Sequence, residues 1–317
     1  MSIRFLCALA LVALPLCTSA GHAQTEAEAL ADAKAANERK DYVASLAIYI
    51  ALYDKGSAVG ATMVGLMHWA GLGVKQDTAA ACRYFEVGDQ RGSVNSTELL
   101  ADCYFKGKGM KQDYVRSAAL YTKAMGKGLP QSYCALGNQY LDGLGVAKDE
   151  AKAAELCRKG AELGVADAQT DLGQMYMSGR GVAKSLVESA KWFEKAADQG
   201  QPNAAYFLGR QYWNGDGVPR DRARAGRLHL IAAHGGHTRA PTALAVYYVS
   251  TGVVDGKIAV EKDAVKAVFW ATIAAQVEPD PAASKDMAEL AAAIVEGEPA
   301  IKAKADALIA AGRFPPD

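Results

Sequence analysis

Residues 131–164, QSYCALGNQYLDGLGVAKDEAKAAELCRKGAELG, carry the pattern that decides the fold. Leu136 and Tyr140 stand four residues apart and fall on one face of a helix. Gly143 and Gly145 break that helix, because glycine takes positive φ without steric cost and turns the chain into the next element. Asp149 offers a side-chain oxygen to the unpaired N–H groups of a second, Ala-rich helix, which closes at Gly164. The stretch encodes two short antiparallel helices joined by a tight turn.

The same signals recur every 36 residues on both sides of this stretch. Gly56, Gly92, Gly128, Gly164, Gly200 and Gly236 form one column, and Gly71, Gly107, Gly143, Gly179 and Gly215 a second. Gly73, Gly109, Gly145, Gly181 and Gly217 form a third, so each turn reads Gly-x-Gly. The column of Leu136 (Val64, Leu100, Leu172, Leu208, Leu244) is apolar throughout and is core. Its neighbour, Gly65, Ala101, Gly137, Gly173, Gly209 and Ala245, admits only small residues, which points to a close helix crossing. An aromatic column follows: His68, Tyr104, Tyr140, Tyr176, Tyr212 and Tyr248, read as rings packed between helices with the hydroxyl on a backbone or water partner. Asp77, Asp113, Asp149, Ser185 and Asp221 mark the start of each second helix. A fixed period of this length is the mark of a solenoid, in which each unit buries its apolar face by stacking on its neighbours. The expected fold is all-α, a right-handed superhelical solenoid of antiparallel helix pairs.

The segments AYFLGRQYWNGDGVPRD (205–221), TDLGQMYMSGRGVAKS (170–185) and ESAKWFEKAADQG (188–200) are similar to Sel1-like repeats, relatives of the tetratricopeptide repeats. The resemblance covers residues 57–236, with looser copies on both flanks. Residues 24–56 form a starting helix pair without the Gly-x-Gly turn, and 237–280 a divergent repeat with an insertion, TGVVDGKI, read as a loop. Residues 281–317 read as capping helices and a frayed tail, RFPPD. The resemblance implies a non-catalytic adaptor that holds a protein or peptide in the groove of its superhelix. Partners of the family's kind are cell-envelope enzymes, sensor kinases and polysaccharide assembly machinery. It also carries an alternative, since cysteine-rich secreted members are linked to penicillin binding and β-lactamase activity. The chain has no Ser-x-x-Lys and no Lys-Thr-Gly, so the usual serine machinery is missing from the sequence.

Residues 1–23 read as a secretory signal: Arg4 precedes the apolar run FLCALALVALPLC (5–17), and GHA ends with small residues at the expected cleavage positions. A lipoprotein signal is disfavoured, because Leu16 is bulky where a small residue should precede Cys17. The mature chain is expected in the periplasm or secreted, without membrane insertion. Lys and Arg number 35 and Asp and Glu 35, so no basic stripe marks a nucleic-acid partner. Cys82, Cys103, Cys134 and Cys157 remain after export, an even number that allows three connectivities. Cys82 and Cys103 lie equally far from the turn near Gly92, and Cys134 and Cys157 from the turn near Gly145, which favours those two pairings. Four buried thiols are the alternative.

No catalytic, cofactor or metal site is expected. The Gly-x-Gly of KGKGMK (106–111) resembles a phosphate cradle, but it ends a helix in every copy and follows no strand. His229, His234 and His237 lack a zinc spacing and read as surface or turn residues. With Leu136 inward, the far side of the first helix carries the columns of Cys134, Asn138, Leu141 and Asp142. Candidate partner-binding residues in those columns are Asp102, Phe105, Asn138, Gln174, Tyr206, Arg210, Trp213 and Asn214. Aromatic and Arg side chains ringed by polar ones are the usual anchors of an interface.

Overall fold

The helix pairs from α3–α4 to α13–α14 are each closed by one backbone bond that returns from the start of the second helix to the end of the first. The computed structural model describes residues 20–249, 253–254, 257–258, 263–296 and 299–314, and sixteen helices stand among them. They divide into two compact units at Leu163–Gly164. The first unit holds α1 (Ala20–Glu38), α2 (Tyr42–Asp54), α3 (Ala58–Ala70), α4 (Thr78–Gln90), α5 (Val94–Lys106), α6 (Tyr114–Gly126), α7 (Gln131–Asp142) and α8 (Glu150–Glu162). The second holds α9 (Ala166–Ser178), α10 (Leu186–Asp198), α11 (Pro202–Asn214), α12 (Arg222–His234), α13 (Ala240–Val249), α14 (Ala264–Val277), α15 (Pro281–Val295) and α16 (Pro299–Ala310). Residues 1–19, with the apolar run of the expected signal, lie outside the described residues. Part of the insertion after α13 is a small hairpin, β1 (Val253–Val254) antiparallel to β2 (Lys257–Ile258), rather than only a loop.

The turn chemistry is the one the sequence dictates. Gly71, Gly107, Gly143, Gly179 and Gly215 take the left-handed conformation just past α3, α5, α7, α9 and α11. The N–H groups of Asp77, Asp113, Asp149, Ser185 and Asp221 donate to the carbonyls of His68, Tyr104, Tyr140, Tyr176 and Tyr212 at 2.8–3.0 Å. Each of these capping side chains accepts from the N–H three residues on, satisfying a donor that helix geometry leaves unpaired. In the starting pair, with no glycine at the turn, Lys40 takes positive φ (62°).

At four of the turns the second glycine fixes the stacking of one pair on the pair before it. A Cβ on Gly73 would stand 2.3 Å from the Tyr42 carbonyl oxygen, on Gly109 2.3 Å from that of Thr78, and on Gly145 2.3 Å from that of Tyr114. Gly217 meets the Leu186 carbonyl group in the same way at 2.4 Å. Gln139 and Gln211 donate from Nε2 to these same Tyr114 and Leu186 carbonyls.

Small residues on the first helix face the largest groups on the second. Gly65 lies against Phe85, Gly173 against Phe193, Gly137 against Cys157 Sγ and Gly209 against the His229 ring. The ring column finds cations rather than the expected backbone or water partners: the Tyr104 hydroxyl accepts from Arg116, the Tyr140 hydroxyl accepts from Lys152, and Arg224 lies over Tyr212. Cys82 pairs with Cys103 between α4 and α5 (S–S 2.07 Å), and Cys134 with Cys157 between α7 and α8 (1.98 Å). The C-terminal helices α15 and α16 pack on α14. Phe314 is not part of a loose tail, because its ring stacks on Trp270 and meets His234.

Two expected outcomes follow from this packing. Gly128 has positive φ and nothing within 4 Å of an added Cβ, so Gly128→Ala meets only the conformational cost of about 1–2 kcal/mol. Gly145→Ala adds a clash with the Tyr114 backbone, and its melting temperature is expected to fall clearly further. Equal melting temperatures would refute the stacking role of the second glycine.

His229 is 2% exposed, and burial, helped by His237 and Arg210, pushes its pKa from 6.5 down to about 4. The unfolded chain therefore binds more protons between those values, and stability falls as pH drops through that window. His229→Phe, which matches Phe85 and Phe193 in register, is expected to remove about 2 kcal/mol of the stability difference between pH 7 and pH 5. Denaturant melts of both proteins at the two pH values measure it, and identical differences would contradict the buried neutral ring.

Candidate functional site

The exposed strip of the first helices is narrower than the sequence implies. Cys134 (3%), Thr62 (5%) and Thr170 (2%) share one helical column and are buried, whereas Glu98, Tyr206 and Thr242 of the same column are half-buried. A first helix packs both on its own second helix and on the helix that precedes it, as α11 does on α12 and α10. What stays open are the columns of Asn138, Leu141 and Asp142. In α11 they hold Arg210 and Asn214, both exposed, and the half-buried Trp213.

Tyr206, Arg210 and Trp213 converge on one cavity of about 240 Å³ in the second unit. Its other walls are Ala243 and Val246 of α13, with His229 of α12, and its rim carries Arg239, Thr242 and Glu278. Glu278 is held with its side chain 4% exposed: Arg239 Nε lies 3.8 Å from Oε1, and Thr242 Oγ1 donates to Oε2 at 3.0 Å. Tyr206 is clamped by His237, stacked at 4.0 Å between ring centroids. The Arg210 guanidinium stands 6.0 Å from the Tyr206 ring centroid and has no carboxylate within ion-pair distance among the described residues. Arg222 covers the Trp213 ring at 4.9 Å. Nδ1 of His229 is buried without a hydrogen-bond partner. A second cavity of about 230 Å³ shares Arg210 and takes in Phe207, Met177 and Asn214, whose Nδ2 donates to Asp216 at 3.0 Å.

The remaining predicted residues are spent on internal contacts or lie away from these cavities. In the first unit Asp102 receives hydrogen bonds from both Tyr121 and Lys106, so its carboxylate is already engaged. Phe105 packs edge-on against Tyr114 at 5.5 Å. Asn138 is half-buried on α7. Gln174 on α9 is half-buried, and its carbonyl accepts from Ser178. Near Asp102, burial and that carboxylate raise the pKa of Glu98 to about 7.

Sequence reasoning missed six residues of the cavity, Ala243 and Val246 of its apolar wall among them, and misplaced one. His229 is a core ring, not a surface or turn histidine, and the signal was its register: it stands 36 residues after Phe193 and 144 after Phe85. Glu278 occupies the position where every earlier copy closes with glycine, once the inserted residues are allowed for. Thr242 stands in register with Tyr206. Arg239, in the short connection before α13, carries no periodic signal. His229 and His237 share Tyr206 as a ring partner, and His234 meets Phe314.

Comparisons with known proteins agree with this architecture. A Sel1 repeat solved from Oxalobacter formigenes superposes with a TM-score of 0.64 at 24% identity, over 80% of this chain and 98% of that one. The protective antigen c5321 of uropathogenic Escherichia coli, which displays an SLR fold, gives 0.59 at 26% identity over 93% of this chain and 66% of that one. No curated protein matches the sequence. The family model described as Sel1 repeat matches residues 58–87, 96–128, 130–165, 166–201, 202–237 and 243–278, so the last copy, with its inserted residues, is a full member of the series. With six copies that together span more than half of its length, the chain belongs to the Sel1 repeat family.

Proposed function

We propose that this Sel1 repeat protein is a non-catalytic scaffold that captures a protein or peptide partner in the cell envelope, outside the cytoplasm. The observation that carries the reading is the convergence of Tyr206, Arg210 and Trp213 on an open cavity of the second unit. A rigid helix face places two large rings and a guanidinium together there, the residue types that dominate binding energy at interfaces. Loss of side-chain freedom on binding is small, since Tyr206 is held by His237 and Trp213 by Arg222.

Export is supported by the N-terminal apolar run after Arg4 and by the two cysteine pairs, which persist in oxidising compartments and not in a reducing cytosol. Among the described residues no helix is long and apolar enough to cross a membrane. The hydrolase alternative has no observation in its favour, and turnover of nitrocefin by the purified protein would revive it.

Two measurements test the proposal. Peptide mapping without reduction, on protein recovered from the envelope fraction, is expected to return Cys82 linked to Cys103 and Cys134 linked to Cys157; free thiols throughout would count against export. The double variant Arg210→Ala, Trp213→Ala is expected to lose about 2 kcal/mol or more of binding energy for the partner retained by the wild-type protein from envelope extract, with its helical circular dichroism intact. Unchanged affinity would move the binding surface elsewhere.

A further inference from the structure

The cavity between α11 and α13 has the charge of a site for one anion. Arg210 and Arg239 bring two positive charges, and Glu278, nearly buried against Arg239 and Thr242, cancels one. His229 contributes no charge near neutral pH, since burial keeps its ring unprotonated. Among the lining residues one guanidinium remains uncompensated, that of Arg210, on an exposed stretch of α11. A phosphate dianion would face the Glu278 carboxylate, whereas a single carboxylate balances the count.

The rest of the cavity asks for something apolar beside that charge. Tyr206, Trp213, Ala243 and Val246 line it, and its volume of about 240 Å³ holds a side chain rather than a folded element. The inner wall includes His229, 2% exposed.

We propose that this cavity is a binding site for a peptide carboxylate flanked by an apolar or aromatic side chain, with Arg210 pairing the carboxylate and Tyr206 and Trp213 enclosing the apolar group. This deepens the partner-capture reading by naming the chemistry that the partner presents, and it rests on that reading. Guanidinium and carboxylate form parallel charge-assisted hydrogen bonds, so the pair is directional as well as strong. Occupation of the cavity changes the surroundings of Trp213, which lines it, and this gives a spectroscopic readout.

The test uses the full chain and three probes: acetyl-Leu-Phe with a free carboxylate, acetyl-Leu-Phe amide, and acetyl-Glu-Phe amide. Binding is read by calorimetry and by the Trp213 fluorescence, isolated by comparison with Trp213→Phe. At least one of the two carboxylate probes is expected to bind about tenfold or more tighter than the neutral amide. Preference for the free terminus identifies a chain end as the occupant, preference for the glutamyl probe an acidic side chain, and both outcomes sustain the site. Arg210→Gln is expected to abolish the advantage of the carboxylate and Arg210→Lys to keep part of it, with unchanged helical spectra. Equal affinity of the neutral and charged probes, no binding of either carboxylate, a carboxylate advantage that survives Arg210→Gln, or displacement by equimolar inorganic phosphate would each overturn the assignment. In the first case a partner still captured through Trp213 would leave the scaffold reading standing, so the two failures are separable.

Discussion

The carbonyl group at the first residue of each second helix is the fixed point on which the stacking of these repeats depends. Tyr42, Thr78, Tyr114 and Leu186 present it, and the next turn can approach only because a glycine hydrogen stands where any other residue has a Cβ. That contact sets the height of one helix pair on the previous one. The glutamine bonds from Gln139 and Gln211 then hold the register at the same oxygen. The glycines of one turn therefore do different jobs: the first ends a helix, and the second admits the neighbouring backbone. The closing glycines, such as Gly128, have open space around them and answer only to φ.

Because the backbone geometry is fixed at the turns, the columns between them tolerate changes of chemistry. The column of Phe85 continues as Tyr121, Cys157, Phe193 and His229, so five copies place four kinds of side chain at one position opposite the small-residue column of the first helix. Cys157 turns the contact into a covalent link with Cys134. His229 turns it into a buried titratable group. Stability then acquires a slope on the acid side from His229, while Glu98, whose pKa is raised to about 7 by burial and Asp102, gives the opposite slope as pH rises from 4.5.

How much of this could be read from the sequence follows from what periodicity reports. Glycine spacing, caps and the apolar column give the helix pairs directly, since each of those signals is local and repeats. The cysteine pairing was legible because an antiparallel hairpin brings residues equidistant from its turn to one height. Which columns face solvent was less legible: the helical wheel of one helix does not show that α7, which carries the buried Cys134, packs on α6 as well as on its own α8. Of the candidate residues, Tyr206, Arg210 and Trp213 share a cavity because they lie on one helix at turn spacing. Asp102 was misjudged because Tyr121, nineteen residues away, consumes its carboxylate.

The cavity itself originates in a mismatch between consecutive copies. Tyr206, Arg210 and Trp213 are followed 36 residues later by Thr242, Val246 and Val249, so bulky groups on α11 stand beside small ones on α13. A regular solenoid would close this space with side chains of similar volume, as native interiors do. Here the mismatch leaves it open, and Glu278, in place of the closing glycine, brings a carboxylate to its rim and draws Arg239 toward it. Departures from the repeat are therefore where chemistry concentrates: the positions that stacking fixes stay glycine, leucine or alanine, and the positions that stacking leaves unconstrained carry the charge, the rings and the opening.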